Sequence, residues 1–89
     1  MKSRTTERFR VALERLPAQV RQQARTAYRR FCEDPAHPSL HFKQVHSTLP
    51  VYSVRVGIHY RAVGMIDGDT IVWFWVGPHA DYEALLTRL

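Results

Sequence analysis

The segment Thr70–Val76 places the tightest constraint on how this chain folds. It runs Thr-Ile-Val-Trp-Phe-Trp-Val, apolar on both faces, and so suits an interior strand covered above and below. The Asp67-Gly68-Asp69 turn stands immediately before it, and an Asp-Gly pair is a strong hairpin signal. The strand on the other side of that turn is Tyr60–Ile66. Further back, Val51–Ile58 alternates: Tyr52, Val54, Val56 and Ile58 face one way, while Ser53, Arg55 and Gly57 face the other. The second set reads as a polar face free of the helices. Leu40–Val45 reads as one more strand, with Lys43 alternating among apolar neighbours. On the last apolar strand, Trp73 and Trp75 are expected to share a face opposite Phe74, packed in the core rather than open for base stacking.

Before Leu40 the period is helical. Phe9, Ala12, Leu13 and Leu16 recur at helical spacing after a capping Thr5-Thr6 pair, until Pro17 ends that helix and suits the first turn of the next. In the second helix Val20, Ala24, Ala27, Tyr28 and Phe31 form one stripe, and Arg21, Arg25 and Arg29 form another. Asp34-Pro35-Ala36-His37-Pro38 closes it, and Lys2–Thr6 suits a short leading strand. After the sheet, Tyr82, Leu85, Leu86 and Leu89 mark a final helix over Ala80–Leu89. The expectation is a single α+β domain over residues 1–89: an N-terminal helical hairpin, an antiparallel sheet of three to four strands and a C-terminal helix.

The net charge is +5, and its placement matters more than its size. Residues 1–31 carry Lys2 and every arginine from Arg4 to Arg30 against only Glu7 and Glu14. Arginine favours bidentate phosphate contacts, so this third suits RNA, DNA or an acidic protein, although solvated helix faces look the same in sequence. Cys32 is alone, so the chain has no internal disulfide. No apolar run reaches a membrane-spanning length and the N-terminus lacks a signal-peptide core, which leads to the expectation of a soluble cytoplasmic protein.

Candidate chemistry gathers near the end. Arg55 lies on the polar strand face and Arg61 on the next strand, where a short reversal at Gly57–His59 brings them close. Two guanidinium groups there would bind a phosphate and stabilise charge developing in a pentavalent transition state. The bland alternative is two exposed arginines neutralised by acids. His79 follows Gly77-Pro78, past the apolar strand, where a histidine can exchange protons with a substrate or simply satisfy the start of a helix. Tyr82 begins the apolar stripe of the last helix, with its hydroxyl at the rim. Lys43 suits an additional phosphate contact. The histidines lack metal-site spacing, and there is no phosphate loop, nucleophile elbow or carboxylate pair, which leaves no cofactor or metal to expect.

The order of these parts resembles the RelE/ParE superfamily of type II toxins, across nearly the whole chain. The resemblance rests on Asp34–Leu40, on Val51-Tyr52-Ser53-Val54-Arg55-Val56, on Tyr60-Arg61-Ala62-Val63, and on Gly77-Pro78-His79-Ala80-Asp81-Tyr82. In the RelE branch it implies a ribosome-dependent mRNA endonuclease that needs no metal. Arg55 and Arg61 would hold the scissile phosphate, His79 would move protons and Tyr82 would support it. Arg21, Arg25, Arg29 and Lys43 would contact RNA, and a cognate antitoxin would cover the protein. The ParE branch poisons gyrase instead, and a noncatalytic binding module is a third reading. Two departures stand out: Ser53 occupies a position that often carries Lys, and Ala80 follows His79 where Arg is common.

Overall fold

The computed structural model describes residues 1–89. The chain forms β1 (Lys2–Thr5), α1 (Glu7–Glu14), α2 (Ala18–Glu33), a 3₁₀ turn (Pro38–Leu40), β2 (Lys43–Gln44), β3 (Val51–Val56), β4 (Tyr60–Asp67), β5 (Thr70–Pro78) and α3 (His79–Arg88). No helix is long and apolar enough to cross a membrane. The strand order is β1-β5-β4-β3-β2, so the hairpins β3–β4 and β4–β5 form the antiparallel centre. The α+β reading holds, including the leading strand. That strand pairs in parallel with β5, from Lys2 opposite Thr70 to Thr5 opposite Trp73, and makes the sheet five-stranded and mixed.

Local chemistry explains the helix limits. Thr6 is the N-cap of α1, its hydroxyl accepting from the Phe9 amide at 3.1 Å. Pro17 stands one residue earlier than its expected place, as the N-cap of α2. Arg21 donates to the Leu16 carbonyl at 2.6 Å and so fastens the turn between the helices. In the α2 stripe Val20, Ala27 and Phe31 are buried, whereas Tyr28 is exposed.

The sheet separates two apolar clusters. On the α1–α2 side lie Phe9, Phe31, Leu40, Val54, Val56, Ala62, Ile71 and Trp73, with Phe31 edge-on to Trp73 at 5.4 Å. On the α3 side lie Val51, Val63 and Tyr82, supported by Phe74, Trp75, Leu85 and Leu86.

Several expectations need correction. Leu40–Val45 is not one strand: Leu40 ends the 3₁₀ turn in the core, His41 is left-handed at φ 46°, and only Lys43–Gln44 pair with β3. Ile58 does not continue the buried row, because Gly57 at φ 60° begins the turn and leaves Ile58 74% exposed. Trp73 and Trp75 do not share a face. Val63 pairs with Trp75 and Gly64 with Trp73, leaving Phe74 as the extra residue of a β-bulge. Trp73 therefore enters the helix-side core, while Phe74 and Trp75 join the α3 cluster. The face bearing Ser53 is not open either, since α3 lies on it and Ser53 is 0% exposed.

Candidate active site beneath the C-terminal helix

The β3–β4 register sets Arg55 directly opposite Arg61, and the β4–β5 register sets Arg61 opposite Gly77. Directly opposed residues project to the same side of a sheet, so one row carries two cations and then a gap. Gly77 keeps that gap: a Cβ there would come within 2.9 Å of the Trp75 ring. One row over, Lys43 stands opposite Ser53, and Ser53 opposite Val63.

Arg61 is the unusual member. It is only 9% exposed, its Nη1 is buried without a hydrogen-bond partner in the protein, and its Cζ lies 5.6 Å from the centre of the Tyr82 ring. A desolvated guanidinium over an aromatic ring gains about 2 kcal/mol, less than the several kcal/mol that burying an unpaired ion costs. Stability alone does not account for this arginine. Arg55 is half-buried, and its Nε donates to the Gly57 carbonyl at 2.9 Å. Lys2 pairs with Asp69 and the His79 ring lies against Glu83, so no arginine is neutralised by a carboxylate. The reading of Arg55 and Arg61 as exposed, acid-paired residues does not describe this sheet.

Tyr82 links the parts. Its ring lies 5.5 Å from that of His79 and 6.4 Å from that of Trp75, and its hydroxyl shares a hydrogen bond with Ser53 Oγ at 3.2 Å. His79 is the first residue of α3, after Pro78 as N-cap. Its backbone amide donates to the His59 carbonyl at 2.8 Å, tying the start of α3 to the β3–β4 turn. The imidazole is half exposed, with Nε2 3.1 Å from Glu83 Oε1 one helical turn on. The structure thus gathers Arg61, Tyr82 and His79, with Arg55 beside Arg61.

The other expected contacts scatter. Lys43 is exposed on the short edge strand β2. Arg25 and Arg29 are exposed on α2, and Arg21 is committed to the α1–α2 turn. Arg25 and Arg29 border a groove of about 610 Å³ between α1 and α2, whose walls include Phe9, Leu13, Phe31 and Trp73. Sequence reading missed two participants. Ser53 looked like part of an open row, and only the fold shows it buried under Tyr82. Glu83 was legible as the i+4 neighbour of His79 on a helix.

The ParE-like toxin domain model matches residues 18–84, and the chain belongs to that family. Among solved structures, the RelB–RelE antitoxin–toxin complex from Methanococcus jannaschii is similar at TM-score 0.73 and 19% identity, covering 92% of this chain and 96% of that one. The YoeB/ParE toxin from Agrobacterium tumefaciens reaches 0.70 at 16% identity, covering 89% of this chain and 99% of that one. The isolated E. coli RelE toxin gives 0.67 at 18%, covering 99% and 98% respectively. No curated protein matches the sequence.

Proposed function

We propose that this member of a toxin family is a ribosome-dependent mRNA endonuclease, acting in the cytoplasm and restrained by a cognate antitoxin. The observation that carries the reading is the buried Arg61 guanidinium with its orphaned Nη1, beside Arg55 and within one aromatic ring of His79. A phosphodiester oxygen would satisfy that donor once Tyr82 moves aside. Lys43, directly opposite Ser53, supplies from β2 a cation that Ser53 cannot.

The reaction follows from these groups. A base removes the proton of a ribose 2′-OH, and the oxygen attacks the adjacent phosphorus in line. The O2′–P bond forms as the P–O5′ bond breaks, the leaving 5′ oxygen takes a proton, and a 2′,3′-cyclic phosphate remains. Arg61 and Arg55 hold the phosphate and stabilise charge on its oxygens. His79 transfers the proton, and Glu83 orients its ring. Tyr82 supports the histidine and screens the arginine. Exposed Arg25 and Arg29 would meet ribosomal RNA or the antitoxin through charge alone. The groove between α1 and α2 suits an amphipathic antitoxin helix, with apolar side chains inside and carboxylates on Arg25 and Arg29. Solved relatives crystallised as antitoxin–toxin complexes support such a partner.

A gyrase-directed toxin is the second reading, and one contact favours it: Ser53 stands where a lysine is common and binds the Tyr82 hydroxyl inward. Controlled expression of wild type and His79→Ala, with mapping of mRNA 5′ ends during growth arrest, separates the two. The nuclease reading expects cuts within translated codons that vanish in the variant. Arrest without cuts, persisting in the variant, would transfer the assignment to gyrase, and absence of arrest would leave a binding module.

A further inference from the structure

α2 is flanked by two depressions of opposite chemistry. One is the apolar groove towards α1. The other, about 360 Å³, lies between α2, the 3₁₀ turn and the end of β3, and Arg30, Arg55, Ser39, Gln22, Gln23 and Thr26 line it without a carboxylate among its residues. Arg30 Nη1 donates to Ser39 Oγ at 3.2 Å, and Arg55 is held by the Gly57 carbonyl through Nε. Each guanidinium is anchored by one bond and keeps other N–H groups unspent. Two like charges converging on one cleft repel unless an anion joins them.

We propose that this cleft is a second phosphate subsite, which takes a backbone phosphate of the RNA strand next to the one held at Arg61. The inference rests on the nuclease reading for the identity of the strand. Arg55 is the link: it lines the cleft and stands directly opposite Arg61, so a chain of regularly spaced anions spans both positions over the β3 edge. The neutral lining selects RNA over an acidic protein. Gln22, Gln23, Thr26 and Ser39 offer amide and hydroxyl groups suited to a ribose 2′-OH and phosphate oxygens, whereas a docking helix needs a broad apolar floor, and here the apolar lining is limited to Ala27, Leu40 and Ile58. Arg30 is thereby a binding residue with no part in proton transfer.

The test is equilibrium binding of a 2′-O-methyl hexanucleotide, which resists cleavage, to the full chain across a range of salt concentrations. Arg30→Ala is expected to weaken binding roughly tenfold. It should also flatten the dependence of log K on log salt by about 0.7, one phosphate contact on a single strand. Arg4→Ala removes the same charge from β1, at the opposite edge of the sheet, and should leave the slope unchanged. An Arg30→Ala protein that retains wild-type affinity and slope overturns the subsite. So does an equal loss in both variants, or a wild type that binds hexaglutamate through Arg30 in preference to the RNA. Codon-clustered cuts in cells with an unchanged Arg30→Ala slope would remove the subsite and keep the nuclease. A changed slope without cuts would do the reverse.

Discussion

The two faces of the sheet are built to different ends. Towards α1 and α2 the buried set is wholly apolar, with Phe31 meeting the rings of Phe42 and Trp73 in T-shaped, edge-to-face contacts. Towards α3 the buried set is smaller and holds Ser53 and Arg61 among Val51, Val63 and Tyr82. An apolar face can only contribute stability. A face that buries an unpaired guanidinium gives some up. A single ten-residue helix covers that second face, fastened by the Tyr82–Ser53 hydroxyl bond, a backbone bond to the β3–β4 turn, a contact of His46 Nε2 with the Leu89 carbonyl at 3.4 Å, and the packing of Leu85 and Leu86. The sheet thus keeps its wholly apolar core on one side and its buried polar groups on the other.

The largest expected effect breaks the apolar face. Trp73 is 4% exposed and its indole N–H donates to Ser3 at 3.0 Å, joining β1 to the core. Trp73→Ala should cost about 4 kcal/mol through lost burial and a cavity, read as a lowered urea midpoint. The next change should act with opposite sign on the two properties. Arg61→Met keeps an unbranched apolar stem, shorter than the arginine, and removes the buried charge. It should leave stability unchanged or raise it by about 1–2 kcal/mol, while growth arrest on expression disappears. A strongly destabilised Arg61→Met protein would mean that the guanidinium belongs to the fold and would undo the contrast between the faces.

Sequence reading went furthest where one pattern decided one element. Thr6, the stripe ending at Phe31, and the Asp67–Asp69 turn gave α1, α2 and the β4–β5 hairpin within a residue or two. It went wrong where a single residue shifts the pattern. One bulged residue at Phe74 sends Trp75 to the face away from Trp73, and periodicity carries no sign of it. Leu40 and His41 break a run of apparent alternation, because a left-handed residue after a 3₁₀ turn redirects the chain. At the site, Arg55, Arg61, His79 and Tyr82 were legible as residue types near one another. Their burial was not, because alternation places Ser53 and Arg61 on a polar face and gives no hint that α3 lies over it.

The smallest effect tests how firmly α3 is held. Tyr82→Phe removes only the hydroxyl that bonds Ser53 Oγ at 3.2 Å, and the ring stays between the Arg61 guanidinium and His79. Such a bond is worth about 1 kcal/mol net, and both hydroxyls lie in a buried setting where an orphan costs more. Tyr82→Phe and Ser53→Ala should each lose about 1 kcal/mol, and the double variant little more than either, because removing both partners leaves no orphan. Hydrogen exchange should concentrate the loss in α3 and spare β4 and β5, which the opposite face holds. If the protection of β5 falls equally, the helix is part of one cooperative core, and Arg61 is reached only by unfolding it. If α3 alone loosens, Tyr82 is a cover that opens at small cost, and phosphate reaches the guanidinium with the sheet intact.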